Sequence, residues 1–225
     1  MEQLLQRLAT ESLHVIDRVL ILDDYIPINI SSKNKELQKI DVSSSTEWQH
    51  YIEAYLKKNN AKVAYGGYLE VRDIYKRSAY FNTEKEEPRN IHLGIDFWCK
   101  AGTKVVSVLD GEIHSFNNNK NFGDYGPTII VKHFVEGTTF YSLYGHLSLE
   151  SIENIFVGQK VEKGQEIARL GEASVNGDYA PHLHFQIIKN MGDYKGDYPG
   201  VCAKKDITFY KENCPNPAIL LGLPF

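Results

Sequence analysis

From about Ala64 onward the chain runs in short stretches where apolar and polar residues alternate, separated by glycine- and asparagine-rich breaks. KVVSVL, TIIVKHF, TTFYSLYG and PHLHFQII are rich in β-branched and aromatic residues and too short for typical helices. Alternation sends successive side chains to opposite faces of a strand. The pattern therefore predicts a mainly β chain: a compact antiparallel β-sheet domain with one face against a core.

Upstream the period changes. Leu4, Leu5, Leu8, Leu13, Ile16 and Leu20 recur at helical intervals without a proline between them, which predicts an amphipathic first helix. A second is expected from near Ser45, where Ser-Thr-Glu-Trp offers a cap and an acidic first turn, and Trp48, Tyr51, Ile52 and Tyr55 form the apolar stripe. Residues 24 to 44 read as loop. The expected division is a helical N-terminal accessory segment over 1–63 and a β domain over 64–225, ending in an ordered but irregular tail after Ile188.

Composition narrows the function classes. With 42% hydrophobic and 24% charged residues, the chain has the make-up of a globular protein. A net charge of -4 without a basic run gives no electrostatic reason to bind nucleic acid. No apolar run approaches the roughly 18 residues of a membrane span. The opening MEQLLQRLATESLHVID is amphipathic, not a charged tip followed by an apolar stretch, so a cytoplasmic location is the expectation. Cys99, Cys202 and Cys214 are odd in number and form no C-x-x-C pair; reduced thiols are expected, with a Cys202 to Cys214 bridge as the alternative.

The chemistry lies in two of the alternating runs. In IHLGIDFW, His92, Gly94 and Asp96 share one strand face while Leu93, Ile95 and Phe97 share the other. In HLHFQII, His182, His184 and Gln186 share a face opposite Leu183, Phe185 and Ile187. Two imidazoles and a carboxylate suit zinc and leave a fourth position for water. Gly94, between two candidate ligands, leaves room for a metal and for close approach of another chain. Either motif alone is weak evidence, and their combination is stronger. His14, His50, His114 and His133 have no ligand-like neighbour at strand spacing and read as surface or packing histidines.

The order HLGIDF, YGHLS, GQKVEKGQEIARLG and PHLHFQ, from about Ile91 to Ile188, resembles the lysostaphin or LytM type of zinc metalloendopeptidases. The marks of that family are H-x-x-x-D, a separate histidine after a tyrosine-rich strand, and H-x-H. The resemblance implies a groove over an antiparallel sheet, one Zn2+ per chain, and hydrolysis of short glycine-containing or peptidoglycan-type peptides. Carried over residue by residue, it assigns His92, Asp96 and His184 to the metal. It assigns His146 and His182 to catalysis, orienting the attacking water and stabilising the oxyanion. The chemistry agrees, because zinc lowers the pKa of its water to about 7, and an imidazole of ordinary pKa about 6.5 suits proton transfer near neutrality.

Before the first ligand, Tyr68, Arg72 and Tyr75 in GGYLEVRDIYKRSAYF are candidates to line the groove and contact substrate, since an arginine fork binds carboxylates bidentately. The alternative is a strand or helix packing its tyrosines. A second functional reading is a catalytically silent peptidase fold acting as a binding or regulatory module, its groove blocked by residues before Tyr80 or after Ile188. A third compares GQKVEKGQEIARLGE with the turns of lipoyl or biotinyl carriers. It is the poorest, because those turns need a modifiable lysine beside methionine or acid-alanine residues, and the methionines here are Met1 and Met191.

Overall fold

The computed structural model describes residues 1–9, 13–78 and 87–224. The strands in chain order begin with β1 Tyr25–Pro27, β2 Val63–Gly66, β3 Ile91–His92, β4 Ile95–Trp98, β5 Lys104–Val106 and β6 Gly111–Asn119. They continue with β7 Gly126–Val135, β8 Thr138–Gly145, β9 Lys160–Val161, β10 Glu166–Arg169, β11 His182–Ile188 and β12 Val201–Cys202. Eight of them form one sheet in the order β1-β2-β4-β11-β8-β7-β6-β9. The chain is mainly β, as the alternation predicts, and β11 lies beside β4 within the sheet. The run IHLGIDFW, expected as one strand, is split at Leu93–Gly94 into β3, which pairs with β12 in a separate two-stranded sheet, and β4, so that Leu93 packs with Ile91 and Cys202 and not with Ile95 and Phe97. One pair departs from the antiparallel expectation: β1 runs parallel to β2 at the edge of the sheet. Pro27 sits in that edge strand, where proline is tolerated because an outward N–H is not needed.

Alternation on the central strands delivers Ile95, Phe97, Ile129, Phe140, Tyr144, Leu183 and Phe185 to the main core. The opposite face is covered as well, and every residue of β11 is buried. Helix α2, Ser45–Lys58, starts near Ser45 as expected, with its cap one residue ahead of the Ser-Thr-Glu-Trp stretch: the Ser44 hydroxyl accepts from the Glu47 N–H, and the Glu47 carboxylate accepts from the Asp41 N–H. Its Trp48 and Ile52 pack with Tyr75, Trp98 and Tyr179 in a second cluster on the ligand side of the sheet. No helix among the described residues is long and apolar enough to cross a membrane.

The first helix is much shorter than its periodicity predicts. Helix α1 covers only Glu2–Leu8, and residues 10–12 of the expected stretch lie outside the described residues. Val15 lies in a bend instead, and Ile16 forms an isolated antiparallel bridge with Val105. The Val106 N–H donates to the Val15 carbonyl and the Asp17 N–H to the Lys104 carbonyl, both at 3.0 Å. Backbone partners on β5 satisfy this β-branched stretch, and tertiary pairing overrides the local helical period. The expected loop at 24–44 holds β1 and a short helical turn, Lys35–Lys39.

The C-terminal part is also more regular than expected, with helices α3 Ile207–Asn213 and α4 Pro217–Leu221. Pro217 opens α4, the Asn216 side chain caps it, and Gly222 at φ 62° ends it. Ala218 and Leu220 of this helix join Leu4, Leu5 and Ile16 in the main core. All three cysteines are free and buried.

Candidate metal centre

Antiparallel pairing of β11 with β4 sets His184 directly opposite Asp96. Neighbours in such a pair share a face with their Cβ atoms about 5 Å apart. His92 Nε2 lies 2.8 Å from His184 Nδ1 and 3.2 Å from Asp96 Oδ1, and His184 Nδ1 lies 3.1 Å from the same oxygen. All three residues are buried. Gly94 makes the approach possible, because a Cβ there would stand 2.6 Å from the Phe185 carbonyl oxygen and 2.8 Å from the His184 ring.

The hydrogen bonds around the two rings assign their protons. His92 Nδ1 donates to the Gly67 carbonyl at 2.9 Å. His184 Nε2 donates to Gln186 Oε1 at 2.9 Å. The Gln186 amide nitrogen donates to the Pro199 carbonyl and the Cys214 sulfur, so its oxygen must face the histidine. Each neutral ring thus commits its one N–H outward, and bare His92 Nε2 faces bare His184 Nδ1 beside a carboxylate. Three buried acceptors converge with no donor between them, an arrangement that is costly unless a cation joins it. Protonating His92 is no remedy, since burial and the neighbouring Arg72 push its pKa down to about 3. A tetrahedral ion with bonds of 2.0–2.1 Å spaces its ligand atoms about 3.3 Å apart, close to the distances observed. The donor set fits a divalent metal.

Asp96 is ionised. Burial alone would raise its pKa, but the His92 ring and the Arg72 guanidinium outweigh burial and hold it well below the usual carboxylate range. Arg72 Nη1 donates to Asp96 Oδ2 at 2.5 Å, and Arg72 Nε donates to Glu70 Oε2 at 2.8 Å.

His146 and His182 complete the cluster, with ring centroids 4.1 Å apart. His146 follows β8 at φ 63°, a left-handed conformation uncommon for a non-glycine residue and costing about 1–3 kcal/mol. Its N–H donates to the Tyr125 carbonyl, and its Nδ1 donates to the Asn176 carbonyl at 2.7 Å. His182 Nδ1 donates to the Ala180 carbonyl at 2.8 Å, and its ring stacks on Trp98. Both rings therefore keep Nε2 unprotonated; that atom of His182 lies 4.0 Å from Asp96 Oδ1. Burial pushes His182 down to about 4, and burial with the neighbouring His182 takes His146 well below its ordinary value.

The five histidine and aspartate candidates come together in one buried cluster. The three groove candidates divide. Tyr75 lines the cavity above the cluster, with its hydroxyl accepting from Arg72 Nη1 at 3.3 Å. Arg72 also borders the cavity, where its Nε and Nη1 are paired with Glu70 and Asp96 while its buried Nη2 has no hydrogen-bond partner. Tyr68 does not line the cavity: its hydroxyl donates to the Cys214 carbonyl, because a turn at Gly67–Glu70, with Leu69 at φ 57°, sends it to another side of the chain from Arg72. Residues Ala79–Phe81 of that stretch, including Tyr80, lie outside the described residues.

The cavity has a volume of about 330 Å³ and is also walled by Trp48, Trp98, Tyr125 and Tyr179. Sequence reasoning missed these. Trp98 follows Asp96 by two residues and belongs to the same strand face by period alone, whereas Tyr125 carries no local signal. Its hydroxyl lies 3.4 Å from His184 Nε2, and burial, with Asp197 and Asp124 nearby, keeps its phenol protonated well above the usual range.

Residues 90–195 match the profile of Peptidase family M23. A Haemophilus influenzae protein described as an uncharacterized metalloprotease is 29% identical over 117 residues, which is 50% of this chain and 22% of that protein. Glycyl-glycine endopeptidase ALE-1 of Staphylococcus capitis is 33% identical over 99 residues, 44% of this chain and 25% of that protein. The chain thus spans a quarter or less of the length of these relatives. Among solved structures, the catalytic domain of lysostaphin from Staphylococcus simulans is similar at 29% identity and a TM-score of 0.37, covering 54% of this chain and 80% of that one.

Proposed function

We propose that the chain is a zinc-dependent endopeptidase of the lysostaphin and LytM type acting on glycine-containing or peptidoglycan-type peptides, a reading supported by the match of residues 90–195 to peptidase family M23. The observation that carries the reading is the convergence of His92 Nε2, His184 Nδ1 and Asp96 Oδ1, three buried acceptors with no donor among them. These residues would hold the ion. Zinc bound there supplies Lewis acidity, polarising a scissile carbonyl and lowering the pKa of water to about 7.

The protein's own groups handle the protons. His146 and His182 are neutral at neutral pH, and each offers Nε2 as an acceptor while its Nδ1–H is anchored to a backbone carbonyl. One of them accepts the proton lost by the attacking water, and the resulting imidazolium stabilises the oxyanion before returning the proton to the departing amine. The Tyr125 hydroxyl, kept protonated by burial, is a further donor at the cavity wall.

Elemental analysis of protein purified without chelator tests this reading, with one zinc per chain expected. Hydrolysis of glycine-rich peptides or peptidoglycan fragments should stop on chelation and return with zinc. Asp96→Ala should lose both metal and turnover, since it removes the anionic ligand. Absence of metal after zinc is supplied at neutral pH would refute the proposal.

A further inference from the structure

We propose that Arg72 is a positioning residue for the metal: its guanidinium holds Oδ2 of Asp96 away from the two imidazoles, so that Asp96 offers the ion Oδ1 alone. The inference rests on the zinc reading of this site and concerns a residue outside the matched segment 90–195.

The two oxygens of Asp96 have separate environments. Oδ1 faces His92 Nε2 and His184 Nδ1 at 3.2 and 3.1 Å, while Oδ2 accepts from Arg72 Nη1. Arg72 cannot swing away to follow a substrate. Its Nε is held by Glu70 at 2.8 Å, and its guanidinium carbon lies 5.5 Å from the centre of the Trp98 ring. Glu70 is anchored in turn, its other oxygen accepting from the Ile30 N–H at 3.0 Å. The guanidinium also lies against Gly67, where a Cβ would come within 1.8 Å of Nη2, and Gly67 at φ 105° provides the carbonyl that orients His92. One turn of chain thus sets the orientation of two of the three ligands.

Charge and geometry both matter here. Arg72 sits between two carboxylates, so the group Glu70, Arg72 and Asp96 presents one net negative charge to a divalent ion. A lysine would keep that charge, but as a compact ammonium it cannot reproduce the planar fork that engages both acids at fixed angles. Freed from the fork, Asp96 can turn both oxygens toward the ion. Partners that orient ligands in this way are typically worth about 10–100-fold in metal affinity.

The test uses the full chain and compares wild type, Arg72→Lys and Glu70→Gln. Zinc affinity is measured by competition with a chromophoric chelator, and the visible absorption of the cobalt-substituted proteins reports coordination number. Thermal unfolding of the metal-free forms monitors the fold. Arg72→Lys should bind zinc roughly 10–100-fold more weakly and show a weaker, shifted cobalt band, as expected when a carboxylate becomes bidentate. Glu70→Gln, at the more exposed end of the clamp, should change both readings in the same direction by less. If Arg72→Lys fails to fold, Glu70→Gln decides. Wild-type affinity and an unchanged cobalt spectrum in the folded variants would overturn the role of Arg72. A wild-type protein that binds no zinc would instead overturn the underlying reading of the site, and the clamp with it.

Discussion

Residues 90–195 and the segments flanking them contribute to the same site by different means. The matched segment carries all five clustered histidine and aspartate residues, three of them on the adjacent central strands β4 and β11. The flanks supply groups that hold or enclose that cluster: the Gly67 carbonyl on His92, Arg72 on Asp96, Trp48 in the cavity wall, and Pro199 and Cys214 on Gln186. The clustered residues thus lie within one segment, and their orientation depends on residues far away in sequence.

The largest test of that contrast removes a flank. A chain starting at Ala64 would lose Leu4, Leu5 and Ile16 from the main core and Trp48 and Ile52 from the second cluster. Each such loss is of the kind that costs about 2–5 kcal/mol, against a total stability of roughly 5–15 kcal/mol. The shortened chain is expected not to fold, as circular dichroism and sedimentation would show. Cooperative unfolding near the wild-type midpoint would mean that the first 63 residues are a detachable accessory after all.

The next test stays inside the matched segment and separates its two kinds of histidine. His146→Ala and His182→Ala should retain zinc while hydrolysis falls about 10²- to 10⁴-fold, the usual loss for a positioned acid or base. Bound metal and turnover measured on the same samples decide it, and a variant that loses its metal belongs among the ligands.

The smallest effect concerns a histidine of the same segment that takes no part in the site. His133 is buried in β7, with Nδ1 donating to the Asp110 carbonyl at 2.8 Å and Nε2 paired with the Ser142 hydroxyl. It is a packing histidine, as its lack of ligand-like neighbours predicts. Burial pushes its pKa from 6.5 down to about 4. The unfolded chain therefore takes up this proton first as pH falls. The stabilising effect is complete above about pH 6.5 and is lost progressively toward pH 4, on the order of 3 kcal/mol in all. His133→Gln should flatten that part of the acid limb, read from urea midpoints at pH 7 and 4.5. An unchanged slope would assign the acid sensitivity to other groups.

Much of this site is legible in the amino-acid order. Alternation in HLHFQII correctly groups His182 with His184 on β11, because face assignment on a strand depends only on spacing between consecutive residues; IHLGIDFW is not the single strand expected, since the chain breaks at Leu93–Gly94 and His92 reaches Asp96 from β3, in another sheet. The start of α2 is legible for the same reason, since a cap acts within one turn. The first helix is not, because Leu13 and Ile16 fit a helical period, while β5 supplies backbone pairing at Val15 to Asp17 that a local period does not show. Tyr68 and Arg72 are four residues apart in one motif, yet a turn at Leu69 separates their destinations.

By itself the sequence determined the candidate ligand types, the shared face of His182 and His184 and the mainly β class, all of which follow from periodicity and side-chain chemistry over a few residues. Only the tertiary structure decided that His92 reaches Asp96 from another sheet, that His184 stands opposite Asp96, that His146 takes a left-handed backbone beside it, and that Arg72 turns its guanidinium on Asp96. Those outcomes depend on sheet register and on contacts between segments distant in the chain, where burial of one group sets the partners open to the next.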